Sequence, residues 1–247
     1  MSLPYLDIVR REAAAMADAA RLGLDPTCPS CPDWTVQRLV EHTGMVHRWV
    51  TEMVRRRATE RVRRGDLPPP PEDPAELVPW FEEGAAAVVD MLSTTPEDEP
   101  AWNWSVSQPH KAGFWKRRMA HETVVHRWDA QRAHSATTPI DTALAVDGIA
   151  EMMDTILPSA LADNPARPSL GGTLHIHCTD AEGEWSVDIV DGEATVRAEH
   201  AKGDCAVRGP ASDLLLYLYG RIDGGDTIER FGDESVFANW LELTRFG

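Results

Sequence analysis

Residues 114–133, FWKRRMAHETVVHRWDAQRA, read as one helix, and they restrict the fold more than any other stretch of the chain. On a 3.6-residue wheel Trp115, Met119, Glu122, His126, Asp129 and Ala133 share a face, so three ionisable groups sit on a stripe with a tryptophan and a methionine. Taking a carboxylate out of water is costly unless it is paired or bound to a metal. The i, i+4 spacing of Glu122 and His126 directs both side chains at one point. Two arrangements satisfy that geometry: an internal hydrogen-bonded Glu–His pair, or a divalent metal in the middle of a helix bundle. A third ligand from another helix shifts the balance toward the metal. His121-Glu122 followed by His126 is not the H-E-x-x-H metalloprotease motif, because its two histidines are five residues apart and about 140° apart on the wheel.

The 247 residues carry a formal net charge of -16, with 43% hydrophobic and 26% charged side chains, which describes a globular chain long enough for one large or two modest domains. The acidic balance argues against nucleic acid or an anionic membrane as partner. No run reaches transmembrane length and no signal-peptide pattern opens the chain, so a cytoplasmic location is expected. Cys28 and Cys31 form a lone C-x-x-C without the second pair that a zinc ribbon needs, and CPSCPDW reads as a turn before a helix.

Helical periodicity marks residues 6–22, 36–63 with Thr35 as N-cap, and 73–92, in addition to 114–133. Val36, Leu39, Val40, Val46, Val50, Met53 and Val54 form the apolar face of the second helix, and His42 and His47 flank it on opposite sides. Five residues apart, only one of the two can point where Glu122 and His126 point, and periodicity does not choose between them. Arg55, Arg56, Arg57, Arg61, Arg63 and Arg64 precede a proline run and read as a solvated helix end; a surface for carboxylate substrates is the functional alternative. Residues 96–113, rich in Trp and polar groups, are expected to rim a pocket. The fold class expected is a four-helix bundle over residues 1–138, followed over residues 139–247 by a small α+β domain with an antiparallel sheet. The second part contains a helix at 142–157, strands at 173–178, 184–190, 194–199 and 204–208, and helices at 211–219 and 235–245. His175 and His177 alternate with apolar residues and are expected on the solvent face of their strand.

Three segments, CPDWTVQRLVEHTGMVHRW, MAHETVVHRWDAQRA and GDCAVRGPASDLLLYLYGR, resemble the mycothiol-dependent maleylpyruvate isomerase family of actinobacteria, and the likeness covers nearly the whole chain. The resemblance implies a DinB-like bundle in front and a sterol-carrier-like domain behind. It also implies a divalent metal, usually zinc, held by His42, Glu122 and His126, and it thereby selects His42 over His47. The cofactor implied is mycothiol: its thiolate adds to an activated cis double bond, the adduct rotates, and elimination releases the trans isomer. An S-transferase would stop at the addition. Asp129, one turn beyond His126, is a candidate to orient that ring or line the pocket. Partners expected are a small-molecule thiol and an electrophilic substrate, with no nucleic acid or membrane, in a monomer or homodimer. The alternatives are a non-catalytic small-molecule or lipid binder and a DinB-like metal-dependent hydrolase.

Overall fold

The computed structural model describes residues 3–162 and 164–244. They divide into two compact units, one running to Trp104 and resuming over Pro109–Thr138, the other made of Ser105–Gln108 and the chain from Pro139 onward.

Four helices build the first unit: α1 (Tyr5–Arg21), α2 (Val36–Arg55), α3 (Pro74–Thr94) and α4 (Ala112–Ala133). Each packs chiefly on two others, in the ring order α1, α3, α2, α4. The seven apolar residues expected on the second helix are all buried. Thr35 caps that helix, its hydroxyl accepting the Arg38 amide at 3.3 Å. The helix stops at Arg55, eight residues before the end expected from the sequence. Arg57 turns left-handed at φ 49°, the Ala58 amide reaches back to the Met53 carbonyl at 3.0 Å and the Arg57 amide to Val54, which is the Schellman pattern of a helix end. It is built here on an arginine, and a run of helix-favouring residues gives no warning of it. The C-x-x-C segment also departs from the turn expected. Strands β1 (Thr27–Cys28) and β2 (Cys31–Thr35) pair as a hairpin with Cys28 opposite Cys31, and both thiols are free.

Two contacts hold the helices in register. Arg127 on α4 is 3% exposed and meets Glu12 of α1 at 2.8 Å, while its other nitrogen donates to Gln131, to the Thr138 hydroxyl and to the Thr138 carbonyl. Gly44 lets α3 approach α2, because a Cβ there would lie 2.3 Å from the indole of Trp80, whose ring also carries the Arg48 guanidinium 4.0 Å above it.

In the second unit α5 (Thr142–Glu151) runs through a π-helical stretch, Met152–Ile156, into α6 (Leu157–Ala162). The helix therefore outlasts the expected end at 157. Pro158 has no N–H for the Asp154 carbonyl, and Ser107 Oγ at 2.6 Å and Gln108 Nε2 at 3.3 Å supply the missing donors. Five strands follow, β3 (Leu174–Cys178), β4 (Glu184–Val190), β5 (Glu193–Arg197), β6 (Cys205–Gly209) and β7 (Glu229–Gly232), in the order β5-β4-β3-β6-β7. Three strand pairs are antiparallel as expected; β3 and β6 run parallel. The sequence reading omits β7, a fully exposed edge strand with no apolar alternation to find. Leu174, Ile176, Val187, Ile189 and Val207 are buried, and α7 (Ala211–Leu218) and α8 (Glu234–Leu243) pack against β6. The last helix was expected to reach Arg245, which lies outside the described residues. His175 is buried, contrary to the solvent face expected for it.

Replacing Arg127 by Ala takes from Glu12 its buried interhelical partner and leaves only Arg11 of the same helix, at 2.9 Å and more than half exposed. A loss of about 2–3 kcal/mol is expected in chemical denaturation, below the cost of a buried charge left wholly unpaired. Gly44→Ala is expected to lose stability by about 1–2 kcal/mol despite its better helix propensity, because overpacking against Trp80 outweighs it.

Candidate metal centre

α2 and α4 bring His42, Glu122 and His126 together. His42 Nε2 is 3.1 Å from Glu122 Oε1, His126 Nε2 is 3.4 Å from the same oxygen, and one ligand atom from each residue lies within 4.8 Å of the others. Their side chains keep 26%, 20% and 12% exposure, so a solute can reach all three. His47 is elsewhere: wholly buried, with Nε2 3.0 Å from the Thr123 hydroxyl. Burial pushes its imidazole down to about 4, so it stays neutral in the core. The single polar stripe expected on α4 is too simple, because Arg118, His121, Thr123 and Arg127 are buried as well and Glu122 and His126 are among the less covered residues.

A chain of hydrogen bonds fixes the His126 ring. Its Nδ1 lies 3.2 Å from Asp129 Oδ2, and Asp129, fully buried, accepts from Ser30 Oγ at 2.5 Å and from Cys31 Sγ at 3.7 Å. The hairpin is thus a clamp on Asp129, which leaves Nε2 of His126 facing Glu122. Trp34 of the same hairpin lies over both rings, 4.8 Å from His42 and 6.3 Å from His126 between centroids. On the other side Arg118 donates to Glu122 Oε2 at 3.3 Å. Arg64, over the face of Trp49 at 5.0 Å, is near enough to interact electrostatically with Glu122. Trp34, Ser30 and Arg118 are missing from the sequence reading, although Trp34 stands in the CPDW segment just before the helix.

Burial alone would raise the Glu122 carboxyl, but the hydrogen bonds from His126 and His42 and the charge of Arg118 hold it well below its ordinary range. Burial would likewise lower His126, and Asp129 and Glu122 overcome it and lift the imidazole to about 9. Two imidazoles and a carboxylate match the donor set of an open zinc site, where three protein ligands leave a fourth position. A cation held by these three side chains would compete with the proton on His126.

Residues 5–131 match the family described as Mycothiol maleylpyruvate isomerase N-terminal domain, and residues 143–239 match the MDMPI C-terminal domain. The chain belongs to the mycothiol maleylpyruvate isomerase family. A crystal structure of the mycothiol-dependent maleylpyruvate isomerase shares the fold at a TM-score of 0.60 and 16% identity, over 92% of this chain and 93% of that one. A structure of a histidine-to-alanine mutant of that isomerase aligns at 0.52 with the same identity and coverage. No curated protein matches the chain. Among the described residues of this chain's bundle, His42, Glu122 and His126 are the group whose ligand atoms gather around one point.

In the metal-free protein the raised pKa of His126 contributes stability that is complete below about 6.5 and is lost as pH rises through about 9. The difference in unfolding free energy between the wild type and His126→Gln should therefore shrink across that interval. A difference that stays constant from pH 6.5 to 9 contradicts the assignment.

Proposed function

We propose that this chain is a metal-dependent isomerase or S-transferase that uses mycothiol as its thiol and acts on a small electrophile such as maleylpyruvate. The observation that carries the reading is the convergence of two imidazoles and one carboxylate, from two helices, on a solvent-accessible point in a member of this family. His42, Glu122 and His126 would hold the divalent ion, for which zinc fits the donors best. Bound there, such an ion would supply Lewis acidity, lowering the pKa of an incoming thiol and polarising a carbonyl oxygen. Residues 1–138 would then be the metal-binding domain and residues 139–247 a sterol-carrier-like partner domain.

The chain's own thiols are poor nucleophiles, which supports a thiol brought by a cofactor. Burial pushes Cys28 up to about 12 and Cys178 up to about 11, raises Cys205 too, and Cys31 is engaged with Asp129. Asp129 holds the Nδ1 side of His126 and so would leave Nε2 for the cation. Trp34 covers the two rings and keeps water from their faces. Arg118 balances Glu122. Arg64 is the cation at the rim suited to a carboxylate on the substrate, which gives part of the arginine cluster the carboxylate-binding role that the sequence left open. Three others of that cluster are spent on structure: Arg55 and Arg56 both bind Glu52, and Arg57 binds Glu99. Among the described residues no helix is long and apolar enough to cross a membrane, which suits a reaction among the low-molecular-weight thiols of the cytoplasm.

Turnover of maleylpyruvate by the purified chain is expected to need both mycothiol and a divalent metal, to cease after chelation and to return with zinc. His42→Ala, Glu122→Ala and His126→Ala should each abolish it and lower zinc uptake by about one equivalent per chain. Activity that persists without thiol indicates a water-using hydrolase instead, and copurified lipid with no thiol consumption indicates a binding protein. Arg64→Ala should raise KM for an anionic substrate about tenfold or more, the scale of one lost charge-assisted contact, with a smaller change in kcat.

A further inference from the structure

The sheet of the second unit carries another group of metal-ligating side chains, which the proposed reaction does not use. Along β3 the residues Leu174, Ile176 and Cys178 are buried on one face, and His175 and His177 share the other. The register with β4 sets His177 opposite Glu184 and His175 opposite Ser186. The segment that follows β5 returns His200 to the same place. Its Nδ1 is 3.0 Å from Glu184 Oε2 and 3.3 Å from Oε1, and its ring meets His175 edge-on with centroids 5.6 Å apart. One ligand atom from each of His175, Glu184 and His200 lies within 4.8 Å of the others. His177 contributes a further nitrogen, Nδ1, in contact with Glu184 Oε1.

His175 separates this group from a chance surface cluster. It is 7% exposed, and its Nε2 is buried with no hydrogen-bond partner. A buried imidazole nitrogen without a partner is a cost that folded proteins ordinarily avoid and that a nearby cation would remove. Three contributing segments, β3, β4 and the connection to β6, place the donors from different parts of the chain. That arrangement defines a point in space rather than a flexible tract.

We propose that His175, Glu184 and His200 form a second divalent-metal site, of the zinc class, with His177 positioned as a fourth donor. Two or three imidazoles with one carboxylate favour zinc, copper or nickel over magnesium and calcium, which take oxygen ligands. The bound ion ties the segment between β5 and β6 to the face of the sheet. His200, with 83% of its side chain exposed, is the ligand that this connection supplies.

The test is zinc titration of the chelator-stripped full chain by calorimetry in excess magnesium. Wild type is expected to take up two equivalents, His200→Ala and Glu184→Gln one each, and a His42→Ala/Glu122→Gln double variant one. Adding His200→Ala to that double variant should remove the remaining equivalent. If the bundle residues bind no metal, wild type takes up one equivalent that His200→Ala abolishes; this inference then stands while the reading of the bundle falls. Because His200 is exposed, stripped His200→Ala should keep the far-UV spectrum and Tm of the stripped wild type, and zinc should raise the Tm of the wild type further. Equal zinc uptake by wild type, His200→Ala and Glu184→Gln overturns the second site.

Discussion

A carboxylate set between two imidazoles and a guanidinium fixes how α2 and α4 meet. Glu122 is largely enclosed, and in a low-dielectric setting its charge is tolerable only because His42, His126 and Arg118 all face it. Removing any one of them leaves a charge to be compensated by water or by a cation. The helix ring positions these groups from two adjacent helices, α2 and α4, and the buried Arg127–Glu12 pair anchors α4 to α1, its other neighbour. The same helix therefore carries one ion pair that serves packing and, on another face, a charged group held open to solutes.

The short hairpin before α2 joins local chain geometry to the chemistry of the centre. β1 and β2 bring Ser30 and Cys31 onto Asp129 and Trp34 onto the two rings. Asp129 in turn fixes one nitrogen of His126 and so determines which nitrogen the interior receives. The C-x-x-C lies in this hairpin, with Cys28 opposite Cys31 and both thiols free. Its cysteines are a buried core thiol and a weak donor to the carboxylate that orients His126.

Much of this was legible in the residues. The periodicities of the four helices, the Thr35 cap and the Glu122/His126 pair follow from local rules, because amphipathic spacing and capping are short-range effects. The choice of His42 over His47 was not available from spacing and rested on a family resemblance. In the structure His47 Nε2 pairs with the Thr123 hydroxyl, a contact between residues far apart in sequence that no periodicity encodes. The same limit hid Arg127–Glu12 and the cover supplied by Trp34. The end of α2 at Arg55 escaped because the left-handed residue is an arginine, and β7 because an exposed edge strand needs no apolar pattern. His175 was expected on a solvent face because alternation tells which residues share a side of a strand, not what lies over that side.

The central claim is that a divalent ion occupies the point shared by α2 and α4. Anomalous diffraction at the zinc edge, from crystals of the full chain soaked in zinc, tests it most directly. The expected result is a peak bounded by Nε2 of His42, an oxygen of Glu122 and Nε2 of His126, present in the wild type and lost in Glu122→Ala. Crystals saturated with zinc that show no anomalous density between these three side chains would contradict it.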